Sequence, residues 1–355
     1  MVRHDPRTLP NWQFMSNPLP ANHPSVKKPK IGVVLLNLGT PDATDYWSVR
    51  RYLGEFLSDP RVIETPKWLW WPILNLAILS VRPQKSGHAY AQIWDKERNE
   101  SPLRVITRAQ TEALAERLSG DEEIVVDFAM RYGNPSTKSV LEKLRDQGCQ
   151  KILLVPLYPQ YSATTTATAN DKAFDALRTM RWQPAIRTAP AYFEDAKYIE
   201  TLGNSIRDGV AALDFEPDVV LTSYHGMPKE YLERGDPYYC QCQKTTRLVR
   251  EYLGWDESKL MVTFQSRFGP TEWLQPYTDA TLASLPGKGI KKVAILAPAF
   301  SADCIETLEE IAMGGKDTFI EAGGDKFAYI PCLNDSPAGM DMIEAMVRRE
   351  LSGWI

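Results

Sequence analysis

Lys292-Val-Ala-Ile-Leu-Ala-Pro298, leading into Phe300-Ser-Ala302, is a short run of apolar and β-prone residues closed by a proline. Earlier in the chain Lys151-Ile-Leu-Leu-Val-Pro156 leads to Tyr161-Ser-Ala163 in the same way. Runs that are apolar at consecutive positions belong to strands covered on both faces, as in parallel sheets flanked by helices. A second echo accompanies the first. Ile31-Gly-Val-Val-Leu-Leu36 ends in Gly39-Thr-Pro41, and Val219-Val-Leu-Thr-Ser-Tyr224 ends in Gly226-Met-Pro228. Two matches in the same order along the chain point to a duplicated α/β half.

Working outward, buried parallel strands are predicted at Ile31 to Leu38, Lys151 to Leu157, Asp218 to Tyr224, Met261 to Ser266 and Lys292 to Ala299. Helical patterns fill the intervals. Tyr198, Ile199, Leu202, Ile206 and Val210 recur at helical spacing, as do Met340, Ile343, Val347 and Leu351 after a Ser336-Pro337 start. The fold class is α/β, with two similar Rossmann-like domains, each a parallel sheet flanked by helices, over residues 30–190 and 191–335. A C-terminal helix follows over 336–355. Residues 1–29, broken by Pro10, Pro18, Pro20, Pro24 and Pro29, read as a mobile arm.

Composition narrows the function classes. The chain has 355 residues, 43% of them hydrophobic and 24% charged, with a formal net charge of -4. That is an ordinary globular balance without a broad positive field, so no nucleic-acid partner is expected. Met1 to Lys30 lacks an apolar export segment, which leads us to expect a cytoplasmic protein. The apolar run Trp68 to Val81 is too short to span hydrocarbon and contains Pro72. Five cysteines, scattered apart from Cys240 and Cys242, form neither a disulfide framework nor a paired zinc motif.

In open parallel sheets the ligand site lies beyond the carboxyl ends of the strands. Of the four histidines, His4 and His23 fall in the arm and His88 in a polar helical stretch, so only His225 follows a buried strand. In Ser223-Tyr-His-Gly-Met-Pro228 the glycine and proline force a turn that leaves the imidazole at the strand end. The matching strand in the second half ends in Pro298-Ala-Phe-Ser-Ala-Asp-Cys-Ile-Glu-Thr-Leu-Glu-Glu310. There Asp303 is expected to cap a helix, and Glu306 and Glu310 fall four apart on one helical face. A solvated helix start would carry acidic residues for its dipole alone. Apolar Ile305 and Leu308 beside Glu306 favour a cleft-facing line instead. Arg131-Tyr132, before Gly133-Asn-Pro135, and Gln265-Ser-Arg-Phe-Gly-Pro-Thr-Glu-Trp273 read as strand-end loops. Arg131 offers a bidentate partner to a ligand carboxylate and Trp273 a flat stacking face, though either is equally at home in an ion pair or a core. The Trp68 to Val81 run reads equally as a lip over the cleft and as an ordinary buried helix. Phosphate-loop, dinucleotide-loop and nucleophile-elbow spacings are missing around Gly314-Gly-Lys316, Leu38-Gly-Thr-Pro41 and throughout.

Together these segments resemble the ferrochelatase family from about Ile31 to Leu351. The residues that carry the resemblance are Leu36-Asn-Leu-Gly-Thr-Pro41, Tyr158-Pro-Gln-Tyr-Ser162, His225-Gly-Met-Pro228 and Arg234-Gly-Asp-Pro237, then Gln265-Ser266 with Gly269-Pro270 and Trp273, and Asp303 with Ile305-Glu-Thr-Leu308. The resemblance implies two α/β domains with a porphyrin in the cleft between them and the C-terminal helix packed back on the first domain. It implies that His225 and Glu306, facing each other across the cleft, are the catalytic residues and the iron ligands. It implies substrate-binding roles for Leu38, Arg131, Tyr132, Tyr158, Trp273, Phe300, Asp303 and Glu310. The implied reaction inserts Fe2+ into protoporphyrin IX, with no cofactor beyond the substrate iron and with peripheral membrane contact through the lip. Cluster-bearing relatives place their first cluster cysteine where this chain has Ala163. No cysteine follows Cys332, so no iron–sulfur cluster is expected. Cys304 stands where another relative has histidine. The alternatives are a chelatase acting on coproporphyrin and a non-catalytic tetrapyrrole or iron carrier.

Overall fold

The strands of the computed structural model, which describes residues 22–23, 26–120 and 123–355, form two separate four-stranded parallel sheets. The expected arm over residues 1–29 lies mostly outside the described residues. The first sheet contains β1 (Lys30–Thr40), β2 (Ile124–Gly133), β3 (Cys149–Pro156) and β4 (Ala185–Thr188), in the spatial order β2-β1-β3-β4. The second contains β5 (Val219–His225), β6 (Leu260–Gln265), β7 (Lys292–Leu296) and β8 (Lys326–Tyr329), in the order β6-β5-β7-β8. The two orders are the same permutation, and the two sequence echoes are their central strands, β1 with β5 and β3 with β7. Helices cover both faces of each central pair, which is why Val33, Val34 and Leu35 are all fully buried at consecutive positions.

Sequence patterning predicts the four central strands and β6 but misses the edges β2, β4 and β8. β4 and β8 have only four residues each and no fully buried position. β2 interrupts its apolar run with Asp127 and Arg131. The expected strand over Lys292 to Ala299 stops at Leu296, where Pro298 nears and cannot donate to a ladder.

The halves share a core. The helix Ala196–Ala211, started by Asp195 accepting from the Lys197 N–H, brings Tyr198 and Ile206 into one cluster with Leu35 and Val155 of the first sheet and Val220 and Leu296 of the second. The helix Pro337–Glu350, capped by Ser336, adds Met340, Ile343 and Val347 and packs against both Pro102–Arg117 and Ala196–Ala211. Burying each such aliphatic side chain contributes about 1.5–3 kcal/mol. Arg117 pairs with Asp341 and Glu344, and Arg187 lies 4.4 Å from the Trp354 ring centre, so the chain end is tied to the first half. The carboxyl ends of both sheets are thereby held in one place.

Candidate active site

His225 is the last residue of β5, and its Nδ1 lies 2.7 Å from the Gly226 carbonyl oxygen. A carbonyl only accepts, so Nδ1 carries a proton, and Nε2 is the ring nitrogen left to offer a lone pair. The turn that follows has to be glycine. A Cβ on Gly226 would lie 2.5 Å from the Gln265 carbonyl oxygen and 3.1 Å from the Trp273 ring. Trp273 is half-buried beside this turn, bridged to Pro228.

Glu306 and Glu310 follow β7, so both carboxylates and His225 rise from the second half. The strands that carry them, β5 and β7, are neighbours in one sheet. The carboxylate line is not a plain α-helical face. Ile305–Thr307 makes one helical turn, and from Leu308 to Gly315 the backbone is a π-helix, a widened form that recurs at functional sites. Glu310 accepts from the Ser266 N–H at 2.7 Å and the Ser266 hydroxyl at 2.6 Å. Ser266 takes a left-handed conformation, with φ of 61°, at the end of β6. Gln265 donates to the Glu306 carbonyl at 2.7 Å and accepts from Ser223 at 2.8 Å, fixing the two strand ends to the helix. Burial pushes the Glu310 carboxyl above its usual range. Ser266 and the charge of His225 oppose that rise, and Glu306 adds to it. His225 and Glu306 therefore both act electrostatically on Glu310.

Asp303 does not cap the helix. Cys304 is the cap residue, and Asp303, 5% exposed, accepts from Thr307 at 2.9 Å, Tyr329 at 2.6 Å and Asn334 at 2.7 Å. Its carboxylate is taken up by protein donors and holds the start of the Glu306 turn.

The first half supplies the opposite wall. Gly39, Thr40, Tyr90, Ser101 and Leu103 line a crevice with Cys304 and Glu306. Burial, and after it the charge of Glu306, raises the Tyr90 phenol. Leu38 is half-buried between two core clusters, one of which holds Tyr90, Tyr132 and Ile305. Arg131 and Tyr132 were expected in a loop, but they end β2. Arg131 does not present an open fork for a ligand. Its Nη2 donates to Asp59, its Nε donates to Thr168 at 2.7 Å, and its guanidinium lies 4.2 Å from the Tyr132 ring centre. Tyr132 is fully buried and donates to Asp59 at 2.8 Å. Asp59 and Thr168 are the residues that sequence reading misses, while Gln265 and Ser266, read only as the start of a strand-end loop and as part of the resemblance, prove to fix the carboxylate line. Tyr158 and Trp273 are placed differently, since the Tyr158 hydroxyl and the Trp273 Nε1 are buried without a protein hydrogen-bond partner among the described residues. Phe300 is half-buried against the cluster of Leu103, Ala302 and Cys304.

The Trp68 to Val81 run divides between its two readings. Leu74 and Leu79 are buried, and Trp70 packs with them and donates to the Leu57 carbonyl at 2.6 Å. Trp68, Trp71, Leu76 and Val81 are all more than 60% exposed. Among the described residues no helix is long and apolar enough to cross a membrane.

The family model described as Ferrochelatase matches residues 30–351. The ferrochelatase of Mesorhizobium japonicum is 61% identical over 335 residues, covering 94% of this chain and 95% of the relative. The ferrochelatase of Agrobacterium fabrum is 58% identical over 337 residues, covering 95% of this chain and 98% of the relative. Among solved structures, SirB from Bacillus subtilis with Fe3+ aligns with a TM-score of 0.56 at 12% identity, covering 92% of this chain and 97% of that one. The sirohydrochlorin chelatase SirB from Bacillus subtilis subspecies spizizenii, in complex with cobalt, aligns with a TM-score of 0.50 at 10% identity, covering 90% and 95%. At such identities these structures speak for the fold alone.

Proposed function

The chain belongs to the ferrochelatase family, and we propose that it inserts ferrous iron into protoporphyrin IX to give protoheme, the terminal step of heme biosynthesis. It is a metal chelatase of the lyase class. The observation that carries this reading is the family match over residues 30–351, a span that includes His225, Glu306 and Glu310.

Metallation removes two pyrrole protons, strips water from the ferrous substrate and passes the ion through a flat ring. Bending that ring exposes nitrogen lone pairs, and strain of about 1–5 kcal/mol can come from binding energy elsewhere on the substrate. His225, its Nδ1–H donating to the Gly226 carbonyl, offers one Nε2 lone pair, which ligates the entering iron and, once the iron has passed to the ring, accepts a pyrrole proton. Glu306 is the carboxylate partner, and Glu310, held by Ser266, extends the line along which protons or metal travel. Tyr158, Trp273, Phe300 and Leu38 supply the apolar and aromatic surface for the macrocycle. Arg131, Tyr132 and Asp303 shape that surface through their protein partners. No further cofactor is needed. Ala163 stands where cluster-bearing relatives place their first cluster cysteine, which speaks against an iron–sulfur cluster.

The exposed apolar side of the lip supports peripheral contact with the inner face of the membrane. Five free cysteines, among them exposed Cys240, fit a reducing cytoplasm. The deciding experiment compares zinc or iron insertion into protoporphyrin and coproporphyrin by the purified protein. Insertion into protoporphyrin with the higher kcat/KM is the expected result. Binding of porphyrin without any insertion would return the carrier reading.

A further inference from the structure

Asp59 stands at the root of the lip, eight residues before the helix Lys67–Pro72 begins, and its side chain is only 2% exposed. One oxygen, Oδ2, accepts from three donors: Arg131 Nη2, the Thr168 hydroxyl and the Tyr132 hydroxyl. The other, Oδ1, accepts from the Arg61 N–H at 2.8 Å. Burial alone would raise this carboxyl, yet hydrogen bonds from Thr168, Arg61 and Tyr132 and the charge of Arg131 hold it below the usual range. It is ionised whenever the protein is folded near neutral pH.

The consequence falls on Arg131, the cation at the carboxyl end of β2. Its Nη2 and Nε are occupied, and its Nη1 lies 4.0 Å from the second carboxylate, Glu55. Two carboxylates against one guanidinium leave this spot with a net negative charge of one. The spot belongs to the cleft, because β2 runs beside β1 in the register Gly39 to Tyr132, and the charge of Arg131 is felt by the buried Tyr158 hydroxyl. Leu38, Tyr90 and Tyr132 make up the rest of this wall. A substrate carboxylate brought here would meet a guanidinium whose charge two carboxylates already outweigh, and so a net repulsion, whereas a vinyl or methyl edge would meet aromatic and aliphatic surface.

Resting on the ferrochelatase reading, we propose that Asp59 is a specificity-determining residue, which by neutralising Arg131 reserves the first-half wall for an uncharged porphyrin edge and so selects dicarboxylate over tetracarboxylate porphyrins. The effect acts through Arg131, so Asp59 is a positioning residue.

The test measures zinc insertion into protoporphyrin and coproporphyrin by the full chain, alongside metal-free binding of each porphyrin by fluorescence quenching. Asp59→Asn frees a charged donor, and its ratio of kcat/KM for coproporphyrin over protoporphyrin should rise about tenfold, the value of one charge-assisted hydrogen bond. Asp59→Glu should restore the ratio, and Asp59→Asn combined with Arg131→Met should return it to that of the unaltered protein. A folded Asp59→Asn protein with an unchanged ratio, or a double variant that keeps the raised one, overturns the proposal. Should Asp59→Asn not fold, Glu55→Gln removes one negative charge without touching the buried pair. It should raise the ratio by a smaller factor, and no rise there is equally fatal. Failure of the unaltered protein to metallate either porphyrin would instead overturn the ferrochelatase reading itself.

Discussion

Ser266 holds both oxygens of Glu310, one through its backbone N–H at 2.7 Å and the other through its hydroxyl at 2.6 Å. The carboxylate belongs to the π-helix after β7 and the serine to the end of β6, so the contact sets the distance between two strand ends around the candidate centre.

A pH dependence follows from that contact. Burial raises the folded-state pKa of Glu310 above its unfolded value of about 4.3. The folded state therefore holds this proton more tightly than the unfolded chain does. The resulting stability cost is absent below the unfolded pKa and grows as pH rises toward the folded pKa, above which it is complete. Glu310→Gln should gain thermal stability relative to the unaltered protein as pH increases from about 4 to neutrality, while its insertion rate falls. Melting temperatures of both proteins across that range are the check, and a gap that narrows with rising pH contradicts the assignment. Ser266→Ala should move the acidic limb of the rate profile upward, since it deletes a bond that favours the ionised form.

The two adjacent tryptophans of the lip should behave oppositely. Trp70 packs into the core beside Leu74 and donates to the Leu57 carbonyl, so Trp70→Ser should cost on the order of 3 kcal/mol. Trp71 is exposed, and Trp71→Ser should change stability by no more than about 0.5 kcal/mol. If the exposed side of the lip grips porphyrin or a vesicle of anionic lipid, Trp71→Ser weakens that binding in a fully folded protein. Denaturant melts and a binding titration on each variant separate the two effects.

How much of this was legible in the sequence depends on what each residue touches. β1, β3, β5 and β7 are covered on both faces, and that burial writes itself as an unbroken apolar run. β4 and β8 are short and half-exposed, so no such run exists to be read. His225 and Trp273 were legible because a Gly-Met-Pro turn and a strand end locate them locally. Asp59 was not, because Ser58-Asp59-Pro60 reads as an ordinary turn and its partners, Arg131 and Thr168, lie 72 and 109 residues away. The π-helix was hidden for a different reason. Spacing arguments assume the ordinary helical period, and nothing in Leu308-Glu-Glu-Ile-Ala-Met-Gly-Gly315 departs from it.

His225 sits half-buried at a strand end, hydrogen-bonded to its neighbour Gly226, so its removal should leave the fold standing. His225→Ala is expected to bind porphyrin with near-normal affinity and to lose about 10²–10⁴ in insertion rate, the usual loss for a general base. Porphyrin fluorescence quenching and the metal-insertion assay, run on the same preparation, check both halves of that statement. Normal turnover would remove His225 from the centre.

Glu306 and Glu310 admit two accounts that a single set of variants separates. As independent carboxylates on the first turns of a helix, each would contribute about 0.3–1 kcal/mol to stability through the dipole and nothing to turnover. Their surroundings favour the other account. Glu306 reaches the crevice formed with Tyr90 and Thr40, and Glu310 is half-buried and acted on electrostatically by both Glu306 and His225. Glu306→Gln keeps the shape and deletes the ionisable group, so insertion should fall about 10²–10⁴-fold. Glu310→Gln should lose less, because it serves the approach to the centre. If the two form one proton or metal line, the double variant is barely slower than Glu306→Gln alone, since the second break falls on a line already cut. Independent sites would instead multiply their losses. Porphyrin affinity, recorded alongside, should stay level in all three variants, and multiplied losses at constant affinity would show that the carboxylates act separately.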